Sequence, residues 1–143
     1  MMDRDTIERI NNKKMELWEK IGDINILIVD DDSFSRLLVE SLLSKIPQFN
    51  FFEAGDGAEA LGVISDNHID IILLDLRMPK MNGYEMLKAI KGDPKHRDIP
   101  ILVISIDDGD REMLYDEGID GFVYKPFKLE ELRSKIYKAL TDR

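Results

Sequence analysis

Short runs of Ile, Val and Leu recur along this chain, each separated from the next by enough residues for a helix. That alternation narrows the folds open to it more than any other feature. The runs are Ile24–Val29, Ile69–Leu74, Ile101–Ile104 and Phe122–Tyr124, with a weaker fifth at Phe49–Glu53. Apart from Asn25 and Asp70, successive residues are apolar in the first four, the pattern of strands covered on both faces. The fifth ends in a charge and is expected at an edge.

The intervening stretches carry helical spacing. Leu37, Leu38, Ser41 and Leu42 share one face, and Leu129, Leu132, Ile136 and Leu140 follow at intervals of 3, 4 and 4. Asp56-Gly57-Ala58-Glu59 and Asn82-Gly83-Tyr84-Glu85 each put an acid or amide at the N-cap and Glu three residues on, a capping box. Gly118 is placed to end a short helix over 111–117. Five alternations of strand and helix predict an α/β domain built on a parallel sheet with right-handed crossovers.

At 143 residues the chain has room for one domain and a short appendage. The domain is expected over 24–143, preceded by a helical extension over 1–23. In the extension Asp5 and Glu8 resemble a helix start. Ile7, Ile10, Leu17 and Ile21 stand near heptad spacing, which Lys14 interrupts. Such a helix either packs on its own domain or docks on a partner, for example as a homodimer with a second copy.

A net charge of −9 without a Lys/Arg cluster argues against direct nucleic-acid binding. The absence of cysteine excludes disulfides and thiolate metal sites. The apolar runs are too short to cross a membrane, and with no signal peptide at the start a cytoplasmic location is expected.

In a parallel α/β sheet, ligands bind beyond the carboxyl ends of the strands. Those ends carry Asp30, Asp31 and Asp32 after the first strand, Asp75 after the third, Ser105 after the fourth, and Lys125-Pro126 after the fifth. Several carboxylates drawn together need a compensating charge. Mg²⁺ suits them, since it takes a few carboxylate oxygens and shares phosphate oxygens as further ligands. Lys125 adds a second positive charge that can pair with Asp75 or with a phosphoryl oxygen, and Ser105 adds a neutral donor. The set reads as a phosphoryl-transfer site, where catalysis is positioning and charge neutralisation and an aspartyl phosphate is an accessible product. Asp32 stands where the first domain helix begins, so an N-cap role competes with a role at a metal. His68 and His96 lack partners at ligand spacing and are expected at the surface.

The segments Ile26-Leu27-Ile28-Val29-Asp30-Asp31-Asp32, Ile71 to Gly83 through Asp75 and Met78-Pro79, Ile101 to Ser105, and Gly121 to Phe127 through Lys125-Pro126 occur in the order and approximate spacing of a known family. The chain resembles the response-regulator receiver domains of two-component signalling. The resemblance implies a flavodoxin-like, doubly wound five-stranded sheet in order 2-1-3-4-5. It implies that Asp75 accepts a phosphoryl group from a histidine kinase or phosphotransfer protein, so changing the binding of a downstream protein partner or output domain. Asp31 would ligate Mg²⁺ directly and Asp30 through water, with Asp75 and the backbone carbonyl of Arg77 completing the protein's ligands. Ser105 and Lys125 would contact the phosphoryl group, Phe122 would swing inward as an aromatic switch, and the Lys125-Pro126 peptide would be cis. The chain would be a regulatory domain that assists its own phosphorylation and dephosphorylation.

Two departures from that family stand out. Ile106 follows Ser105 where a small residue is usual, and with Arg77 it is expected to gate water and small donors at the mouth of the site. The stretch from Ser105 to Lys125 is about two residues short, so the fourth domain helix should be stunted. Constitutive binding without phosphorylation is the competing function. An aspartyl phosphatase of the haloacid-dehalogenase kind fits less well, because it wants an acid where Arg77 stands.

Overall fold

A computed structural model describes residues 2–76, 83–106 and 111–142. In chain order the elements are helix α1 (Arg4–Ile21), strand β1 (Ile24–Val29), α2 (Ser33–Leu43), β2 (Phe49–Ala54), α3 (Gly57–Asp66), β3 (Ile71–Leu74), α4 (Gly83–Lys91), β4 (Ile101–Ser105), α5 (Arg111–Asp116), β5 (Gly121–Tyr124) and α6 (Leu129–Thr141). The five strands form one parallel sheet in order β2-β1-β3-β4-β5, as expected, with β2 at an edge. The Ile69 run is trimmed to Ile71, because the Asp70 carboxylate turns back to accept the Asn25 N–H at 2.7 Å.

Because side chains alternate across a pleated strand, each run supplies two cores. Leu27, Val29, Ile72, Leu74, Val103 and Phe122 pack with Ala60, Ile64, Met86, Leu87, Ile90 and Leu114 on one face. Ile26, Ile28, Ile71, Leu73, Ile104 and Val123 pack with Trp18, Val39, Leu43, Leu132 and Ile136 on the other. Runs apolar at nearly every position are therefore what a doubly covered sheet requires.

Helix α2 departs from the expected face. Val39 and Leu43 point inward, whereas Leu37 and Leu38 are 58% and 49% exposed. Apolar residues stand on both faces, and the one carrying Val39 and Leu43 is the face that packs in the core with β1 and α6. At its start Asp32 caps the helix, accepting the Phe34 N–H at 3.0 Å and the Ser35 hydroxyl at 3.1 Å.

The N-terminal helix exists, but it starts earlier than expected: Asp3, not Asp5, is its N-cap and accepts the Thr6 N–H at 2.8 Å. Asp5 lies in the first turn, where a negative charge favours the helix dipole. The helix packs on its own domain. Trp18 is buried edge-on between Phe49 and Tyr137, with ring centroids at 5.0 and 5.3 Å. Ile7, Ile10 and Leu17 stay exposed.

Helix α5 spans six residues and ends as expected at Gly118, whose φ of 106° is a conformation that favours glycine. The Lys125-Pro126 peptide is cis.

Candidate functional site

The sheet register sets the site. Val29 lies opposite both Ala54 and Leu74, so β1 and β3 end side by side and release Asp30 and Asp75 together. Backbone bonds fix the exit: the Asp30 N–H donates to the Ala54 carbonyl at 3.1 Å and the Asp75 N–H to the Val29 carbonyl at 2.9 Å. On the other side Ser105 pairs with Tyr124, and its carbonyl accepts the Lys125 N–H at 2.9 Å. Acids and lysine distant in sequence thus meet at one edge.

Lys125 Nζ reaches Asp30 Oδ2 at 3.1 Å and Asp75 Oδ2 at 3.4 Å. Burial works against its ammonium, but the charges of Asp75 and Asp30, and its hydrogen bonds to both, outweigh that and raise its pKa above the ordinary 10.5. The stability gained by charging it is therefore fully present below 10.5 and lost only as pH rises through the higher folded value. Carboxylate oxygens of Asp30, Asp31 and Asp75 lie within 4.8 Å of one another. Two carboxylates about 4 Å apart repel by roughly 4 kcal/mol at the effective dielectric near a protein surface. One ammonium against three carboxylates leaves that repulsion largely unrelieved, and the donor set, all hard oxygens, fits a divalent cation such as Mg²⁺.

The acids and Lys125 line a cleft of about 270 Å³ together with Asp32, Ser35 and Ile106. Asp32 lines it while capping α2, so its carboxylate is already engaged. Ile106 lines the cleft and is 63% exposed. Ser105 is buried at the end of β4 and does not line the cleft. Phe122 is 2% exposed, pointing inward. Arg77, expected as both a carbonyl ligand and a gate, lies outside the described residues, as do Met78, Pro79 and the Asn82 cap.

Two supporting residues escaped the sequence reading. Arg36 donates through Nη1 to the Asp30 carbonyl and through Nε to Glu53 at 2.9 Å, tying the acidic loop to β2. Its place one helical turn after Asp32 is the only sequence signal for this. Gly83 packs against the end of β3, where a Cβ would come within 2.6 Å of Leu76 Cα and 2.9 Å of the Asp75 carbonyl oxygen. A side chain there would displace the backbone that carries Asp75. Of the histidines, His68 is exposed and bonded to Asp70, while the His96 ring is largely buried against Asp93 and not at the surface as expected.

A sequence model of the response regulator receiver domain matches residues 26–137, and the chain belongs to that family. It is a phosphorylation-dependent signalling switch of the two-component type; such domains are regulatory phosphoacceptors that meet histidine kinases and output or partner proteins. Among its relatives is the chemotaxis protein CheY-3 of Vibrio cholerae, 34% identical over 135 residues, which are 92% of this chain and 96% of that protein. The cyclic di-GMP phosphodiesterase response regulator RpfG of Xanthomonas campestris is 35% identical over 131 residues, 88% of this chain but only 35% of RpfG. The chain thus spans about a third of that larger relative. The structure of Vibrio cholerae CheY4 superimposes with a TM-score of 0.75 at 28% identity, covering 83% of this chain and all of the other. No helix among the described residues is long and apolar enough to cross a membrane.

Proposed function

We propose that Asp75 is the phosphoacceptor of a receiver domain over 24–143, with Asp30, Asp31 and Asp75 holding Mg²⁺. The observation that carries this is the convergence of the three carboxylates on one cleft, with Lys125 Nζ reaching Asp30 and Asp75. An Asp75 oxygen forms a bond to phosphorus as the P–N bond of a phosphohistidine breaks, and the lone pair returns to the imidazole nitrogen. Lys125 exchanges its carboxylate partner for a phosphoryl oxygen, a charge-assisted contact that keeps the ammonium paired throughout. Bound Mg²⁺ would neutralise the acids and share phosphoryl oxygens. Ser105 would reach the phosphoryl group by a shift of the end of β4, and Phe122 two residues before Tyr124 would report that shift.

The phosphodonor has an apolar surface to dock on. Leu38 and Leu42 line a second groove with Pro126 and Phe127 that shares Ser35 and Lys125 with the acidic cleft, and Phe34 and Leu37 are exposed on the same helix. A donor protein lying on α2 would bring its histidine to Asp75. On the extension over 1–23, the exposed Ile7, Ile10 and Leu17 are the surface on which a second copy would pair.

The test is to incubate the protein with acetyl phosphate and Mg²⁺ and locate the modification by peptide mass spectrometry. A hydroxylamine-sensitive phosphoryl group on the peptide carrying Asp75, absent when a chelator is present from the start of loading, is expected; none, or one elsewhere, sinks the reading.

A further expectation concerns lifetime. Hydrolysis needs water in line with the bond to the Asp75 oxygen, and Ile106 stands at the cleft that water must enter. Ile106→Ala should speed decay of the acyl phosphate about tenfold, equivalent to roughly 1.4 kcal/mol of barrier. Decay at the wild-type rate after donor removal would show that the gate is elsewhere.

A further inference from the structure

The first residue of α5, Arg111, lies over three aromatic rings. Its guanidinium carbon is 5.8 Å from the Tyr115 centroid, 5.7 Å from Phe122 and 5.7 Å from Tyr124, and its Nη1 is 3.4 Å from the Tyr124 hydroxyl. Phe122 and Tyr124 lie on the same face of β5, with ring centroids 4.8 Å apart. Beneath the exposed guanidinium, Phe122 is buried in the core.

We propose that Arg111 is a positioning residue that holds Phe122 in its inward arrangement and so favours the phosphorylated form. The inference rests on the reading of Asp75 as phosphoacceptor and of Phe122 as a switch that swings inward. The connection to the site is short. Tyr124 pairs with Ser105 across the β4–β5 ladder and is followed directly by Lys125. Phosphorylation that draws Ser105 and Lys125 toward Asp75 must carry the end of β5 with them. The ring of Tyr124 contacts Phe122, and the guanidinium spans both. A cation over ring faces is attracted by their quadrupoles, so Arg111 favours the arrangement in which Phe122 and Tyr124 lie together beneath it. If Phe122 is inward only part of the time without Arg111, affinity for a phosphoryl group falls in proportion to that fraction.

The experiment uses beryllofluoride with Mg²⁺ as the phosphoryl mimic, titrated into wild type, Arg111→Ala and Arg111→Lys and followed by NMR. Arg111 is exposed and outside the cleft, so its variants should fold. Half-saturation of Arg111→Ala should need about five times more beryllofluoride, the scale of one lost cation–π cluster. Arg111→Lys, which keeps a cation near the rings, should fall between the two. In the absence of beryllofluoride, the Phe122 ring resonances of Arg111→Ala should move toward those of an exposed ring, which a merely structural role of Arg111 would not cause. Equal or tighter half-saturation in Arg111→Ala, or unchanged Phe122 resonances, overturns the role of Arg111 and leaves the site reading standing. Failure of the wild type to bind the mimic overturns the site reading, while the ring resonances still test the hold on Phe122.

Discussion

Replacing Trp18 with alanine should cost the protein about 3–5 kcal/mol, the usual range for emptying a buried tryptophan site, and lower its melting temperature by roughly 10 °C. Trp18 is the only buried side chain of α1 among those described, 3% exposed and packed edge-on against Phe49 of the sheet and Tyr137 of α6. Helices in proteins draw most of their stability from the face they pack, so α1 depends on what it buries. That burial is concentrated near its carboxyl end, in Trp18 with the partly buried Ile21 beside it. Hydrogen exchange should therefore show α1 losing protection as a unit in Trp18→Ala, while β1 and β3 keep theirs. Deleting residues 1–22 should cost about as much as Trp18→Ala, since both remove the same anchor. Light scattering on the deletion also tests pairing through Ile7, Ile10 and Leu17: an unchanged mass would rule out that surface as a dimer contact. A loss below about 1 kcal/mol in Trp18→Ala, on the scale of an ordinary surface substitution, would show that α1 is not anchored there.

The sheet was legible in the sequence because a strand buried on both faces leaves a clear mark, and four such marks with a weaker edge run, in alternation with helices, permit few topologies. The acids were legible for a related reason. Strand ends are where an α/β sheet places ligands, so the grouping of Asp30, Asp31, Asp75 and Lys125 follows from the sequence. Phase was not legible. In α2 apolar residues occur on both sides of the helix, and it is the packing of Val39 and Leu43 against the sheet that leaves Leu37 and Leu38 facing solvent, which spacing within the helix does not reveal. In α1 the heptad-like stripe drew attention away from Trp18, which lies at the margin of that stripe and buries more area than any residue on it. Arg36 and Gly83 were hidden because their roles are contacts to backbone: one binds the Asp30 carbonyl, the other leaves room for the end of β3. Gly83 lies in a capping-box pattern, but neither that pattern nor the spacing of Arg36 reveals a contact to backbone.

The division of labour among the three consecutive acids leads to the other large effect. Asp30 is nearly buried and doubly committed, to Lys125 through Oδ2 and to the Asp32 N–H through Oδ1 at 3.0 Å. Asp32 is committed to the first turn of α2 through the Phe34 N–H and the Ser35 hydroxyl. Asp31 is exposed and belongs to the group whose oxygens converge within 4.8 Å. On the proposed role of Asp31 as a direct ligand, Asp31→Ala should weaken Mg²⁺ binding by about a hundredfold, roughly 2.7 kcal/mol, because a site that binds through so few carboxylates loses a large share of its attraction with any one of them. Asp32→Ala should instead cost about 1 kcal/mol of folding stability through the lost N-cap, with Mg²⁺ affinity changed by no more than a few-fold. Calorimetric titration with Mg²⁺ and urea unfolding on the two variants separate the roles. Comparable losses of Mg²⁺ affinity would mean that Asp32 leaves its cap to reach the metal. In that case the start of α2 would have to move when the ion binds, carrying the apolar surface of Phe34, Leu37 and Leu38 with it.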